Sequence, residues 1–306
     1  MPLDLLVPAL VPPRGAPAEM TELRLPSLER WLAAAEIERS PAPGMHAWLA
    51  AEHGIAPPLP VAAIALASEG DMPSGNWLRA DPVHIRIERD AAQQYGPAML
   101  EIDRAQADAL VEVLQRHFAA DGLTVVAPSP ERWYVQVPDA KAINWRTALT
   151  EAQMLLGPHE VNAQREAAGK LAVNSIQLGG EGELPRNVAR RYDMISASDA
   201  FARGLGAITG ARVTPEGAPD DAAANDRVLC IVGTVDRALE RRNLVEWRDA
   251  ALRAEKEWFS EFSRLLARFG ALRLVLPGDN ATLVASIRRP SLLDRFRTKK
   301  PLAAYA

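Results

Sequence analysis

Two apolar runs separated by a long amphipathic segment constrain the fold of this chain more than any other feature. Arg227–Thr234 and Leu272–Leu276 have the length and composition of buried strands, and Leu244–Phe269 has helical periodicity. A strand, a crossover helix and a second strand form a unit with parallel strands and a right-handed connection. The sequence therefore predicts an α/β fold, in which a mostly parallel sheet carries helices on both faces.

The amino-terminal part fits such a sheet. Leu3–Leu10 is an apolar run that predicts an opening strand, and Leu28–Arg39 has apolar residues at helical spacing. From Trp77 onward the pattern changes, because residues 81–145 read as strand, helix, strand and strand. We therefore expect residues 1–80 and 170–306 to form a discontinuous core, and residues 81–169 to form an inserted α+β lobe with a connecting helix.

A glycine-rich segment follows the predicted lobe. The apolar run Leu171–Leu178 is closed by Gly179 and Gly180, and paired glycines occur where a backbone bends sharply or approaches another group closely. Ligands of open α/β sheets bind at the carboxyl edge of the strands. One interpretation is a strand that ends at a ligand-binding edge, and the alternative is an ordinary turn between a strand and a loop.

Composition excludes several classes of function. The net charge of −4 gives no electrostatic basis for binding nucleic acid, and no apolar run approaches the ~20 residues that span a bilayer. The single cysteine, Cys230, rules out an internal disulfide and lies in an apolar run typical of a buried strand. The start of the sequence lacks the basic residues of a signal peptide, so we expect a cytoplasmic protein without nucleic-acid or membrane partners.

Three stretches resemble a known family. They are Asp81–Arg86, the block from Val161 to Gly182 with the following Tyr192–Gly206, and Gly278–Thr282. In this order they resemble the archaeal-type, cofactor-independent phosphoglycerate mutases of the alkaline-phosphatase superfamily. The resemblance implies an alkaline-phosphatase-like fold, a pair of divalent metals and a serine nucleophile.

A second resemblance covers almost the whole chain. RLPSLERWLA, ADPVHIR, RWYVQV and EAQMLLGPHEVNAQRE are similar to segments of bacterial RpfE-type regulatory proteins, which are often labelled phosphoglycerate mutase. This resemblance implies a regulatory role.

The sequence departs from the mutase pattern at the positions that carry the chemistry. The opening strand ends in Pro8-Ala9 where the family has an acidic metal ligand, and Leu59–Ile64 replaces the turn with the nucleophilic serine. Asp236 and Asp279 remain, but their motifs lack the histidines, and all five histidines precede residue 160. Two-metal chemistry needs a cage of carboxylates and imidazoles. We therefore predict no metal and no cofactor, with Asp236 and Asp279 as remnant positions.

Two hypotheses follow. The first is a catalytically inactive, phosphoglycerate-mutase-like protein with a regulatory or partner-binding role, whose partner is a protein or a phosphorylated or carboxylated small molecule. The second is an enzyme that acts on a phosphorylated or acidic metabolite without the two-metal site. The sequence identifies no catalytic residue. Arginines bind such anions through paired hydrogen bonds, and the predicted ligand-binding residues are Arg86, Gly179, Gly180, Arg186, Arg190 and Arg191.

The tail is basic between Arg288 and Lys300. It predicts a solvated segment, and a docking site for an acidic partner is the alternative.

Overall fold

The structure of the protein is a computed structural model that describes residues 2–70, 72–88, 91–138, 143–223, 225–289, 294 and 298–305. The chain forms two compact units. The first unit is discontinuous and comprises residues 1–56 and 187–306, and the second comprises residues 57–186. Most of the predicted basic tail, residues 290–293 and 295–297, lies outside the described residues.

The helices and strands follow one another along the chain in the order below. Residues 1–56 form β1 (Pro2–Leu6), α1 (Ala18–Thr21), α2 (Pro26–Ala34), β2 (Glu36–Ser40) and α3 (Gly44–Glu52). Residues 57–186 form α4 (Val61–Leu66), β3 (Asn76–Glu88), β4 (Ala91–Tyr95), α5 (Pro97–Leu100), α6 (Arg104–Phe118), β5 (Thr124–Ser129), β6 (Arg132–Val137), α7 (Trp145–Leu156), α8 (Glu160–Ala167) and β7 (Ser175–Glu183). The remaining residues form β8 (Met194–Ser196), α9 (Ala200–Thr209), β9 (Arg212–Thr214), β10 (Val228–Ile231), α10 (Thr234–Glu240), α11 (Leu244–Glu257), α12 (Phe262–Phe269), β11 (Ala271–Pro277) and β12 (Thr282–Ile287).

The first unit is built on a seven-stranded sheet with the strand order β2-β12-β11-β1-β10-β8-β9. The strands from β11 to β9 are parallel to their neighbours, whereas β12 and β2 pair antiparallel at one edge. The predicted α/β class with a mostly parallel sheet is confirmed.

Helices cover both faces of this sheet because both faces of its strands are largely apolar. On β1, Leu3 and Leu5 point into a core that also contains side chains of α2, α11 and α12. On the opposite face, Asp4 and Leu6 are also buried, and α3 packs against β11 through Trp48.

The prediction of a helix over Leu28–Arg39 is only partly right. α2 ends at Ala34, and residues 36–40 are the edge strand β2, which pairs with β12 from Ser40↔Thr282 to Glu36↔Ser286. This five-residue strand is polar and mostly exposed, so its helical appearance in sequence is overridden by its pairing.

The second unit is an antiparallel sheet backed by helices. β4, β3, β6 and β5 are neighbours in that order, and β7 also pairs with β3. α6 and α7 bury one apolar face against the sheet, in a core that includes Leu114, Trp133 and Leu156. Asp103 caps α6, as its position in the sequence predicts, by accepting the backbone N–H of Gln106 at 2.8 Å.

The strand pairing shifts the unit boundaries away from those predicted from sequence. β3 already begins at Asn76, and it pairs with β7 from Asn76↔Glu183 to Val83↔Ser175. Residues 76–80 and 175–183 therefore belong to the antiparallel sheet of the second unit and not to the parallel core in which the sequence placed them.

The conformation of the glycine-rich segment differs from both of those that the sequence suggested. Gly179 and Gly180 lie inside β7 and do not end a strand, and residues 175–183 alternate between less and more exposed positions. The expectation that this segment forms the carboxyl edge of the parallel sheet is therefore wrong. Its polar alternation is that of an antiparallel strand with one solvated face.

Among the described helices, none combines the length and the apolar character needed to cross a membrane.

Candidate functional site

A cleft of about 310 Å³ lies in the first unit, where the parallel strands end at their carboxyl termini. Its walls come from the loop after β1, from the segment that joins β2 to α3, from α10 after β10, from the turn between β11 and β12, and from Tyr305. Polar side chains in its wall are Arg14, Arg39, Asp236, Asp279, Asn280 and Tyr305. The volume and the position are those of a small-molecule site in an open α/β sheet.

Asp236 contributes a carboxyl group with a raised pKa to this wall. It lies in the first turn of α10, and burial together with the neighbouring Asp199 raises its pKa, while His46 and Arg237 act in the opposite direction. Within the described part of the chain, no donor lies at hydrogen-bond distance from its carboxylate. The cleft thus holds a partly buried carboxyl group that has no donor among the described residues.

A histidine and an aspartate meet beside this wall. Asp199 caps α9 by accepting the backbone N–H of Ala202 at 2.8 Å, and its second oxygen lies 3.2 Å from Nε2 of His46 in the first turn of α3. The His46 ring also packs on Phe201, with 4.7 Å between ring centroids. This pair was not found in the sequence, because its members are 153 positions apart and belong to no local motif.

Neighbouring polar residues are engaged with one another. Ser198 donates to Glu216 Oε2 at 2.8 Å, and Arg237 donates to both Ser198 Oγ and Glu216 Oε2, the latter at 3.1 Å. Glu216 also accepts the backbone N–H of Thr234 at 3.3 Å. These bonds tie the loop after β9 to the start of α10, which is a structural role.

Two arginines in the cleft wall have no such partners in the part of the chain that the structure describes. Arg14 follows β1 and Arg39 lies on the edge strand β2, and both side chains are exposed. Among the residues that the structure describes, neither forms a side-chain hydrogen bond or an ion pair. They are the cationic groups that this cleft offers to a ligand.

The residues present do not fit the two-metal cage of the resembled family. Asp236 and Asp279 do line one cleft, but the loop after β1 contributes Pro8 and Ala9, and Asn280 replaces the histidine after Asp279. Over the described ranges, no group of three or more His, Cys, Asp or Glu side chains is placed to hold a metal ion. Two carboxylates without imidazoles are a poor site for a pair of divalent ions.

Ala9 has an unusual backbone. Its φ of 56° lies in the left-handed region, which costs an alanine about 1 kcal/mol or more relative to glycine. The indole N–H of Trp247 donates to the Ala9 carbonyl oxygen at 2.9 Å and holds this loop in place. The loop after β1 therefore contains a left-handed residue whose carbonyl group is fixed by Trp247.

No nucleophilic serine occupies the position that the resemblance indicates. Leu59 and Pro60 precede α4, and Val61–Ile64 form its first turns in the second unit. The next hydroxyl group, that of Ser68, donates to the Ala65 carbonyl oxygen at 2.7 Å at the end of this helix.

Gly180 and Gly182 show what the glycines of β7 approach. A Cβ atom at Gly180 would lie 2.8 Å from Val61 Cβ, and one at Gly182 would lie 2.5 Å from Pro60 Cβ. Both glycines also have positive φ values, 64° and 156°. The close approach expected from the sequence exists, but its partner is the start of α4 rather than a ligand.

The predicted ligand-binding arginines are divided between the two units. Arg86 on β3 is 3.7 Å from Glu88, and its guanidinium lies over the Tyr95 ring. On the same strand, Arg79 is the register partner of Gly179. Arg86 lies seven positions beyond Arg79, which corresponds to roughly 23 Å along the strand. Within the second unit, the structure therefore does not bring Arg86 and the glycines together.

The other three arginines are exposed. Arg186 follows β7 in the second unit. Arg190 and Arg191 belong to the first unit, where Arg190 is 3.5 Å from Asp193 and Arg191 is 3.1 Å from Glu52.

A buried ion pair crosses the parallel sheet of the first unit. Asp4 on β1 is 1% exposed and accepts from Arg273, its register partner on β11, at 2.7 and 2.5 Å. Tyr192 donates to the same carboxylate at 2.7 Å, and Arg273 also donates to Glu52 at 2.9 Å. Burial and the negative charge of Asp4 raise the pKa of Tyr192, which stays a neutral donor.

Cys230 is fully buried in β10, as its apolar run predicts. Burial raises the pKa of its thiol, so the group is a small apolar core residue rather than a nucleophile.

Comparison with known proteins gives a likeness in fold. No protein-family model matches the chain, and no curated protein matches it. The PH0037 protein from Pyrococcus horikoshii is 13% identical with a TM-score of 0.56, over 99% of this chain and 92% of that one. A cofactor-independent phosphoglycerate mutase from Thermoplasma acidophilum DSM 1728 is 15% identical over 99% and 94% of the two chains, with a TM-score of 0.46. The first likeness shows a shared fold, and the second is too weak to establish one by itself.

Proposed function

We propose that this protein is a phosphoglycerate-mutase-like binding protein that has lost two-metal phosphoryl transfer and has a regulatory role. In this proposal a small phosphorylated or carboxylated molecule binds in the cleft of the first unit, and a protein partner recognises the ligand-bound form. The observation that carries the proposal is the cleft itself, which is retained at the carboxyl edge while Pro8, Ala9 and Asn280 line it in place of metal ligands.

The charge of the cleft supports an acidic ligand. An anion in a site without metals needs cationic side chains, and arginine offers paired hydrogen bonds to carboxylate and phosphate groups. Arg14 and Arg39 line the cleft, and neither guanidinium is engaged by an acidic side chain of the described residues. The resemblance to bacterial RpfE-type regulatory proteins supports the regulatory part of the proposal, and we propose cytoplasmic residence with it.

Metal content and catalysis test the loss of phosphoryl transfer. We expect the purified protein to contain no stoichiometric Mn or Zn and to show neither mutase nor phosphatase activity when either metal is added. Two bound Mn or Zn ions per chain that are lost on changing Asp279 to Ala would overturn this part of the proposal.

Titration calorimetry with 3-phosphoglycerate tests the binding role. We expect Arg39→Ala and Arg14→Ala each to weaken binding about tenfold or more, as expected for the loss of a charge-assisted bond, and we expect affinity to fall with added salt. Arg248→Ala removes an exposed arginine of α11 outside the cleft and is the matched control. Arg86→Ala and Arg190→Ala test the arginines favoured by sequence. Binding that is lost in those two variants but unchanged in the Arg14 and Arg39 variants would move the site away from the cleft.

The second candidate is an enzyme that acts on an acidic metabolite without the two-metal site. Asp236 favours it, because a carboxyl group with a raised pKa in a cleft is suited to proton transfer. Turnover of a phosphorylated or carboxylated substrate in a chelator, abolished by Asp236→Asn, would establish this function. Binding without turnover would leave the regulatory role.

A further inference from the structure

We infer that the ligand of the cleft is a zwitterion, an acid that carries a protonated amine, rather than a molecule with negative charge alone. This inference rests on the proposed function and specifies the chemical class that the same cleft recognises.

The charges in the cleft wall are mixed. Arg14 and Arg39 contribute two positive charges, and Asp236 and Asp279 contribute two carboxyl groups. Among the described residues that line the cleft, the other polar side chains, those of Asn280 and Tyr305, are neutral. A ligand with several negative charges satisfies the arginines but faces two carboxylates, whereas a zwitterion satisfies both kinds of group.

The Asp236 carboxylate needs a hydrogen-bond donor. A partly buried carboxylate normally has donors, because an unsatisfied one loses its hydration without compensation. The nearby cations are engaged elsewhere, since Arg237 bonds to Ser198 and Glu216, and His46 faces Asp199. No donor for Asp236 is left among the described residues, so we expect the ligand or solvent to supply one.

An ammonium group suits this position better than a hydroxyl group. Both donate a hydrogen bond to a carboxylate, but only the ammonium adds a Coulombic attraction, which is strengthened at a site of reduced solvent access. It also offsets the repulsion between the acidic part of the ligand and the two aspartates.

A matched pair of ligands separates the two cases. O-Phosphoserine and 3-phosphoglycerate share the phosphate group, the carboxylate and the carbon chain, and they differ by an amine in place of a hydroxyl group. In calorimetric titrations of the full chain in EDTA, which prevents a metal ion from bridging the carboxylates, we expect O-phosphoserine to bind at least tenfold more tightly.

Aspartate variants test which side chains cause the preference for the amine. Asp236→Asn keeps the shape of the side chain, and we expect it to reduce the preference for the amine to about threefold or less while 3-phosphoglycerate binds as well as before or better. Asp279→Asn should act in the same direction. Asp249→Asn, on an exposed position of α11 away from the cleft, is the control and should leave the preference unchanged.

The outcomes separate this inference from the proposed function. Equal affinities, or tighter binding of 3-phosphoglycerate, would overturn the zwitterion while an Arg39-dependent affinity still supports an acidic ligand in the cleft. A preference for O-phosphoserine that survives both Asp236→Asn and Asp279→Asn would also overturn it, because the amine would then be recognised elsewhere. No binding of either acid would overturn both proposals. Thermal unfolding of each variant shows whether it is folded, and the two single aspartate variants provide independent tests.

Discussion

Replacing Gly180 by alanine should destabilise the second unit, whereas the same change at the neighbouring Gly179 should not. Both residues lie in β7, and the sequence suggested a ligand-binding role for both. The structure distinguishes them, because a Cβ atom at Gly180 would lie 2.8 Å from Val61 Cβ and 3.3 Å from the Ala62 nitrogen, and one at Gly179 would meet nothing within 4 Å.

Two effects add at Gly180. Its φ of 64° is a left-handed conformation that costs an alanine about 1–2 kcal/mol. The overlap with the start of α4 adds about 1–3 kcal/mol, because backbone has to move. Alanine also lowers the conformational entropy of the unfolded chain, which stabilises the folded state by about 0.4–1 kcal/mol. The sum is a loss of about 1–5 kcal/mol, and at Gly179 only the small favourable contribution remains.

Hydrogen exchange measured by mass spectrometry on peptides from residues 175–183 reports the free energy of opening of this strand. We expect faster exchange in Gly180→Ala and unchanged or slower exchange in Gly179→Ala. Equal exchange in the two variants would refute the steric argument. If instead both variants kept their stability and lost ligand binding, a ligand-binding role for the glycine pair would be restored.

Three further predictions concern the first unit. Ala9→Gly should stabilise it by about 0.5–1 kcal/mol in denaturant unfolding, because relief of the left-handed strain exceeds the entropic cost of glycine; a loss of stability would contradict this. Asp4→Ala should cost about 3–5 kcal/mol by leaving the Tyr192 hydroxyl group without its acceptor and Arg273 with Glu52 as its one remaining acidic partner among the described residues, and a cost below 1 kcal/mol would contradict this. Burial lowers the pKa of His53, whose Nδ1 bonds to the Leu49 carbonyl oxygen at 2.7 Å, so protonation favours the unfolded state. Stability should therefore fall below about pH 6.5, by up to ~1.4 kcal/mol per pH unit, and this slope should be smaller in His53→Asn; an identical slope in the variant would assign it to other groups.

The sequence alone was sufficient to predict the elements whose structure depends on the local residue pattern. The apolar strands that begin near Leu3, Val228 and Leu272 occur where the sequence predicts them, and they pair in parallel. Their composition leaves no alternative to burial on both faces. The edge strand β2 could not be predicted in this way, because its conformation depends on pairing with β12, about 240 positions away.

The candidate site was less accessible to sequence reasoning. Asp236 and Asp279 were singled out by resemblance, and the structure places both in the wall of one cleft. Arg14 and Arg39 carry no local signal, since an exposed arginine looks the same in sequence whether or not an acidic side chain engages it. The glycines of β7 show the converse case, in which the sequence indicated a close approach but not the identity of the neighbouring group.

The position of β1 in the sheet has a consequence for synthesis of the chain. Its two neighbours are β10 and β11, so Leu3 pairs with Val228 on one side and Leu272 on the other. At about 5–20 residues per second, a ribosome takes roughly 15–50 s to make the second of these partners. Until β10 has been made, the apolar segment around Leu5 and Leu6 has both edges unpaired, and one edge stays unpaired until β11 follows. A charged residue within such a segment opposes self-association, so we expect Asp4 to reduce aggregation of the nascent strand until Arg273 has been made and pairs with it.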